Sequence, residues 1–162
     1  LYPSAKRWFG YPQAVLALCW GFAVLIPWAA ATGSLTGGAP LLLGWLATLL
    51  WTFGFDTVYA MADRVDDARI GIRSSALSLG ARAPLAVALC YGLTAGLLAA
   101  AALAAGVGAG FWPLWALAAA GMQRQAARLR QADLPPSAYG RHFQHQVVLG
   151  ALLLLALVVG RL

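Results

Sequence analysis

Three long stretches without a charged side chain constrain this sequence more than any other feature. No Asp, Glu, Lys or Arg occurs at positions 8–55, 83–123 or 142–160. A helix that crosses the hydrocarbon core of a bilayer needs about 20 apolar residues, so the first two stretches can each hold two such helices and the third can hold one. Only 10% of the residues are charged, against about 25% in soluble domains. We therefore expect an integral membrane protein.

Clusters of Gly and Pro divide the two longer stretches where that count requires it. The segments GSLTGGAP (33–40) and GVGAGFWP (106–113) are typical of turns. We expect an all-α fold, a multi-span transmembrane helical bundle in a single domain over residues 1–162. Its five spanning helices are predicted at 13–32, 41–60, 84–105, 111–127 and 145–160. The chain begins without Met, so we expect it to be the C-terminal portion of a longer protein.

The basic residues predict the orientation of this bundle. Lys6 and Arg7 precede the first span, four arginines lie between the second and third spans, and four more lie between the fourth and fifth. With five spans, these three segments fall on one side of the membrane. The positive-inside rule makes that side cytoplasmic. His142 and His145 lie in the last of these loops, where their spacing fits a polar helix start better than a pair of metal ligands.

Negative charge is concentrated in one short segment. Four of the five acidic residues lie in DTVYAMADRVDD, residues 56–67. Nothing from 41 to 68 contains Pro, so we expect the second spanning helix to continue through the segment. At 100° per residue, Asp56, Asp63 and Asp67 would then share one face of the helix. Asp66 would point roughly 80° away from them.

The shared face predicts either a divalent cation site or a set of interfacial salt bridges. Carboxylates at i and i+4 repel one another, and acids near a helix C-terminus meet the unfavourable end of its dipole. Mg²⁺ prefers carboxylate oxygens and is commonly shared with substrate phosphates. Arg69 and Arg73 are close enough in sequence either to neutralise the acids or to bind a diphosphate. The spacing alone leaves both interpretations open.

The residue patterns of two segments favour a divalent cation site. DTVYAMADRVDDARIGIRSSALSLG (56–80) closely resembles the second aspartate-rich motif of the UbiA superfamily of intramembrane prenyltransferases. Within it, the pattern D-T-x-Y-A-M-x-D-R-x-D-D followed by I-G-I-[KR]-S is similar to the 4-hydroxybenzoate polyprenyltransferases. YPSAKRWFGYPQAVLALCWGF (2–22) resembles a family segment that runs from a basic loop into a span. The resemblance continues more weakly to the C-terminus, where FQHQVVLG stands in place of the family's Asn.

The resemblance implies a fold, an activity and a localisation. The family fold has nine transmembrane helices around a central cavity, of which this chain resembles the last five. The implied reaction transfers a polyprenyl group from polyprenyl diphosphate to 4-hydroxybenzoate, in ubiquinone biosynthesis, with Mg²⁺ as cofactor. We expect a bacterial inner membrane protein with the acidic motif on the cytoplasmic side and no nucleic acid partner. The family's first motif, N-D-x-x-D, is absent from this sequence, so we expect no activity from this chain alone.

The resemblance also implies site residues. It makes Asp63 and Asp67 the catalytic, Mg²⁺-binding pair, with Asp56 as a further metal ligand. The expected substrate-binding residues are Arg7, Lys6, Tyr59, Arg69 and Arg73.

Three other functions stay open on the sequence alone. One is a prenyltransferase of the same superfamily with a different aromatic acceptor. Another is a transporter or channel fragment whose acids bind a cation in transit, although such acids are expected nearer the middle of a span. The third is a structural membrane subunit in which the acids only pair with arginines.

Overall fold

The chain folds into helices and their connections. The structure is a computed structural model that describes residues 2–131 and 134–162, and no strand occurs among them. A 3-10 turn, Gly80–Arg82, joins α5 to α6. The α-helices are α1 (Tyr2–Trp8), α2 (Pro12–Thr32), α3 (Gly38–Ala62), α4 (Arg64–Ile70), α5 (Ser75–Leu79), α6 (Ala83–Ala104), α7 (Phe111–Arg128) and α8 (Pro136–Val159). The expected all-α fold is confirmed.

Four helical segments within the described residues are long and apolar enough to cross a membrane. They are α2, α3, α8 and the segment Ser75–Ala104, which contains α6. The chain is therefore a multi-pass membrane protein. The fourth predicted span, 111–127, is present as α7, but α7 is not among the four segments, because its last third carries Gln123, Arg124, Gln125 and Arg128.

The last helix begins earlier than predicted. α8 starts at Pro136 rather than near residue 145, and the polar residues before the apolar run form its first turns. A proline in the first turn of a helix loses no hydrogen bond, because the N–H groups there have no intrahelical partner. Pro136 is therefore a suitable first residue for α8. The apolar run, which begins later, did not indicate this start.

The helix α3 lies at the centre of the bundle. It packs against α2, α6 and α8, while α7 packs against α6 and α8. The main core cluster includes Val58 of α3, Val87 and Tyr91 of α6, Met122 of α7 and Leu153 of α8. Many other large apolar side chains are exposed, which is favourable where lipid covers them.

The basic segments meet at one end of the bundle. At the opposite end, the N–H of Gly108, before α7, donates to the carbonyl of Gly160, after α8, at 2.8 Å. Near the basic end, Nε2 of Gln123 in α7 donates to the carbonyl of Ala88 in α6 at 3.1 Å. Neighbouring helices therefore run in alternating directions. This places both arginine-rich connections and the start of α2 at the same end, as the sequence predicted.

A glycine lets α3 and α6 approach closely. A Cβ atom built on Gly54 would lie 2.7 Å from Cε1 of Tyr91 and 3.3 Å from Cβ of Cys90. Tyr91 is fully buried and belongs to the main core cluster, so its ring has little freedom to move aside.

We predict that Gly54→Ala destabilises the bundle. The added methyl group would overlap the Tyr91 ring, and overpacking of this kind costs about 1–3 kcal/mol. Thermal unfolding of the detergent-solubilised protein measures the loss. Gly44→Ala in the same helix is the matched control, because a Cβ there meets nothing within 4 Å and gains up to about 1 kcal/mol in helix propensity. Equal melting temperatures for the two variants would contradict the close approach.

Candidate functional site

The acidic segment contains a helix break at Asp63. α3 ends at Ala62 and α4 begins at Arg64, so the prediction of one continuous helix through the segment was wrong. The prediction that Asp56, Asp63 and Asp67 share one helix face therefore holds no further than Asp63. Among the described residues, no three His, Cys, Asp or Glu side chains are grouped so that they could hold a metal ion.

The break has an electrostatic reason. In a continuous helix, the acids of this segment would lie at the C-terminal, negative end of the dipole. In the structure, Asp66 and Asp67 lie in the first turn of α4, where the dipole favours negative charge. The prediction of a continuous helix rests on the absence of Pro from the segment, and that criterion does not take the charges of the acids into account.

Asp63 and Asp67 remain one turn apart despite the break. The N–H of Asp67 donates to the carbonyl of Asp63 at 2.8 Å, as in a helix. The side chain of Asp63 is exposed, whereas Asp67 is only 7% exposed. No hydrogen bond or ion pair reaches the Asp67 carboxylate from the described residues. The Asp67 oxygens are not among the buried polar atoms without a partner, which in the described residues are Nε1 of Trp28 and Nε1 of Trp45, so they are accessible to a ligand. Carboxylate oxygens one turn apart are donors of the kind that Mg²⁺ prefers.

The remaining predicted ligand and its neighbour differ in their surroundings. Asp56 is half-buried on α3, seven residues before Asp63. Asp66 points into solvent, where Oδ1 lies 3.8 Å from Nη1 of Arg69. Both of these side chains are more than three-quarters exposed, so the pair contributes little to stability.

Hydrogen bonds hold the N-terminal segment, which carries Lys6 and Arg7, against the segment after α4, which carries Arg73. The N–H of Arg73 donates to the carbonyl of Lys6 at 2.9 Å. Nη1 of Arg73 donates to the carbonyl of Trp8 at 2.7 Å, and Oγ of Ser78 donates to the carbonyl of Gly10 at 2.5 Å. Arg73 thus has a structural role in this contact. Lys6 is half-buried and Arg7 is exposed.

A second, buried set of hydrogen bonds supports the same contact. The N–H of Ser75 donates to Oε1 of Gln13 at 2.8 Å, and its Oγ lies 2.8 Å from Oγ1 of Thr57. All three residues are nearly inaccessible to solvent. They join α2, α3 and α5 beneath the acidic segment. None of the three was predicted as a site residue from the sequence.

The face of α3 that leads to the acidic segment is apolar. Tyr59, one turn before Asp63, is 63% exposed. Phe55 lies one further turn back and lines a cavity of about 250 Å³. We call this space the apolar cavity; it is lined by Trp20, Thr48, Trp51, Thr52, Phe55, Phe143, Gln146 and Val147.

A buried polar chain that the sequence analysis missed borders the apolar cavity. Nε1 of Trp51 donates to Oε1 of Gln146 at 2.8 Å, and Nε2 of Gln146 lies 3.4 Å from Nε2 of His142. The Tyr91 hydroxyl lies 2.8 Å from the same His142 nitrogen. The amide nitrogen Nε2 of Gln146 can only donate, so Nε2 of His142 must accept from it. We therefore assign the proton of the neutral imidazole to Nδ1, and the Tyr91 hydroxyl also donates to Nε2.

His142 lies in the polar first turns of α8, as predicted, but its side chain is 3% exposed and faces the bundle interior. The i, i+4 spacing of His142 and Gln146 places both on one face of α8. The exposed Arg141, Gln144 and His145 around them in sequence hide this pattern. His145, by contrast, is exposed, and its Nδ1 lies 2.7 Å from the carbonyl of Arg141.

Comparisons with known proteins agree with the resemblance drawn from the motifs. The family model of the UbiA prenyltransferase family matches residues 1–147. A 4-hydroxybenzoate solanesyltransferase of Synechocystis sp. is 45% identical over 159 residues, which are 98% of this chain and 54% of that protein. A 4-hydroxybenzoate octaprenyltransferase of Aromatoleum aromaticum is 40% identical over 158 residues, which are 98% of this chain and 52% of that protein.

A further relative, from Burkholderia vietnamiensis, matches a smaller part of the chain. It is also a 4-hydroxybenzoate octaprenyltransferase and is 42% identical over 117 residues, which are 72% of this chain and 40% of that protein. The chain thus spans about half the length of the two relatives that it matches over nearly its whole extent. No solved structure matches it at a significant level.

We predict that Gln13→Met loosens the contact between the N-terminal segment and residues 73–78. The substitution keeps the volume but leaves the Ser75 N–H without its acceptor, which costs about 1–3 kcal/mol. Hydrogen exchange, followed by mass spectrometry, should become roughly tenfold faster in this segment. Gln144→Met changes an exposed side chain of α8 and should leave that rate unchanged. Unchanged exchange in Gln13→Met would refute the bracing role.

We also predict that Gln146→Met destabilises the bundle through Trp51. The indole N–H would lose its acceptor in a buried position, at a cost of about 1–3 kcal/mol. Unfolding in detergent measures it, with Gln144→Met again as the control. Combining Gln146→Met with Trp51→Phe removes both partners, so the two losses should not add. Fully additive losses would show that this hydrogen bond contributes nothing.

Proposed function

Because the chain belongs to the UbiA prenyltransferase family, we propose that it forms part of a membrane-embedded aromatic prenyltransferase. This enzyme transfers a polyprenyl group from polyprenyl diphosphate to 4-hydroxybenzoate, a reaction of ubiquinone biosynthesis. The names of the relatives over nearly the whole chain support the choice of both substrates.

One observation carries the proposal: the acidic end and the apolar cavity share a face of α3. Thr48, Thr52 and Phe55 line the cavity, Tyr59 follows Phe55 by one turn, and Asp63 follows Tyr59 by another. Residues four apart lie above one another on a helix, so the cavity and Asp63 are separated by about 12 Å along the axis. A diphosphate with an apolar tail has its charge and its hydrocarbon separated in the same way.

The acidic residues are the proposed diphosphate end of the site. Asp63 and Asp67 would hold Mg²⁺, with Asp56 as a further ligand. This assignment is supported by the helical spacing of Asp63 and Asp67 and by the Asp67 carboxylate, to which no described residue forms an ion pair. The bound cation would supply positive charge that stabilises the diphosphate as a leaving group. Asp66, which faces solvent beside Arg69, is not among these ligands.

Basic and aromatic side chains near the acids would bind the anionic parts of the substrates. Arg7 and Lys6 are proposed to meet the diphosphate or the carboxylate of the aromatic acid, because arginine and lysine pair well with both groups. Arg69 and Arg73 are further candidates, although Nη1 of Arg73 is already used by the Trp8 carbonyl. The exposed hydroxyl of Tyr59 is available to donate to the diphosphate.

The proposed reaction is an electrophilic aromatic alkylation. The bond between the allylic carbon and the diphosphate oxygen breaks, and the electron pair leaves with the diphosphate. The ring carbon next to the phenol hydroxyl forms the new bond to the allylic carbon, and the proton on that ring carbon then departs. The apolar walls exclude water from the allylic cation, while fixed charges at the acidic end favour the separated state.

We further propose that this chain carries half of the diphosphate site. The family places its metal between two aspartate-rich motifs, and only the second is present in this sequence. Activity then requires a polypeptide that supplies the first motif, and the chain alone is inactive. We propose a bacterial inner membrane location with the acidic segment on the cytoplasmic side, because the basic segments lie at that end of the bundle.

We predict that Asp67→Asn abolishes prenyl transfer while Asp66→Asn does not. Membranes containing the protein together with the first motif would be incubated with Mg²⁺, polyprenyl diphosphate and 4-hydroxybenzoate, and prenylated acid would be measured. Loss of the buried carboxylate should lower the rate on the order of 100-fold or more. Asp66→Asn is the matched control, since it changes an exposed acid one position away, and its rate should stay within about twofold.

The same assay separates the proposal from its alternatives. Equal rates in wild type and Asp67→Asn would refute the metal assignment. Transfer to a naphthoate but not to 4-hydroxybenzoate would identify a different acceptor within the family. Failure to prenylate any aromatic acid, with both motifs present, would refute the enzyme assignment.

A further inference from the structure

A further pocket lies between α7 and α8. Described residues at the end of α7, at the start of α8 and on either side of positions 132–133 line a space of about 280 Å³. We call this space the basic pocket; it is lined by Gln125, Arg128, Leu129, Gln131, Leu134, Pro135, Ala138, Arg141, His142 and His145. None of the acidic-segment residues or their proposed substrate-binding neighbours lines it.

The basic pocket has a strong excess of positive charge. Residues 124–145 contain four arginines, Arg124, Arg128, Arg130 and Arg141, against the single acid Asp133, which lies outside the described residues. From the described part of the chain, no carboxylate comes within ion-pair distance of these arginines. Nη1 of Arg141 donates to Oγ of Ser137 at 2.9 Å, which orients its guanidinium at the pocket. Such a pocket attracts an anion.

The buried side chain of Gln125 points to a ligand. Gln125 is only 7% exposed, and no hydrogen bond joins its carboxamide to another described residue. Among the described residues, the buried polar atoms without a partner are Nε1 of Trp28 and Nε1 of Trp45, so the carboxamide of Gln125 is accessible from the pocket that it lines. Its amide is therefore available to donate to an oxygen atom in the pocket.

An apolar groove continues from the basic pocket towards the membrane. It holds about 250 Å³ and shares Gln125 and His145 with the pocket. We call it the α7–α8 groove; its other lining residues are Leu117, Ala120, Gly121, Arg124, Val148 and Leu149. Leu117 is 61% exposed and Val148 is 64% exposed, whereas Ala118 and Met122 of α7 face the core. The groove thus opens to the outside of the bundle.

We propose that the basic pocket and the α7–α8 groove together bind an anionic phospholipid. The lipid phosphate lies with Arg128 and Arg141, the Gln125 amide donates to a phosphate or ester oxygen, and one acyl chain fills the groove. A free phosphate would satisfy the arginines but leave the groove open. An anionic lipid satisfies both parts, as at basic pockets between spanning helices on a cytoplasmic face.

Lipid binding by the purified protein tests this proposal. The protein in nonionic detergent would be titrated with phosphatidylglycerol, phosphatidylcholine or inorganic phosphate, and the melting temperature and the bound lipid, by native mass spectrometry, would be followed. We expect phosphatidylglycerol to bind and to raise the melting temperature, and the other two to have little effect. Equal effects of phosphatidylglycerol and phosphatidylcholine would overturn the proposal. Equal effects of inorganic phosphate and phosphatidylglycerol would indicate a free-anion site and would also overturn it.

Substitutions locate the site. Arg128→Gln combined with Arg141→Gln, and separately Gln125→Leu, should each weaken phosphatidylglycerol binding at least tenfold. Arg130→Gln is the matched control, because Arg130 is an exposed arginine of the same connection that does not line the pocket. An equal loss of phosphatidylglycerol binding in this variant would show that surface charge alone attracts the lipid and would refute the pocket as its binding site. Helical circular dichroism shows whether each variant is folded.

The groove has its own variant. Ala120→Trp fills the space for the acyl chain without changing the charge, at a position exposed on α7. It should weaken phosphatidylglycerol binding at least tenfold, and unchanged binding would overturn the assignment of the chain to the groove. These measurements do not involve prenyl transfer, so their failure is distinguishable from failure of the proposed enzyme activity.

Discussion

The hydrogen bonds of Tyr91 and its neighbours are the interaction on which the bundle depends most. In lipid, exposed apolar side chains give no drive to bring helices together, so packing and buried polar contacts must hold them. Gly54 lets α6 come close to α3 and seats the Tyr91 ring between them. The hydroxyl then reaches His142 of α8, and Gln146 extends the contact back to Trp51 of α3. Three helices are joined in this way without burying a charge.

The acidic end depends on a second set of contacts, in which buried polar side chains again join neighbouring helices. Gln13, Thr57 and Ser75 satisfy one another below the surface, and Arg73 holds the N-terminal segment above them. These residues explain why a short basic loop before α2 lies beside a motif some sixty residues later. Because these hydrogen bonds of Arg73 and Ser78 end on backbone carbonyls, they do not occupy the carboxylates of Asp63 and Asp67.

Much of this architecture followed from composition and spacing. The uncharged stretches located the long helices, and the two Gly- and Pro-rich clusters located turns, because both signals are local. The break at Asp63 and the early start of α8 were missed for one reason: the apolar pattern marks what lies in lipid and not where a helix ends. The buried role of His142 was missed because spacing in one helix cannot show which residue of another helix opposes it.

The sequence by itself determined that the chain crosses a membrane, that its positive charge gathers at one end, and that its acids form one motif of a recognisable family. These properties depend on the free energy of transferring residues between water and lipid and on a contiguous string of residues. Only the tertiary structure decided that the Asp67 side chain is largely covered while Asp63 is exposed, and that Gln125 lies between a basic pocket and an apolar groove. Burial and partnership depend on the side chains that neighbouring helices bring, which no single segment encodes.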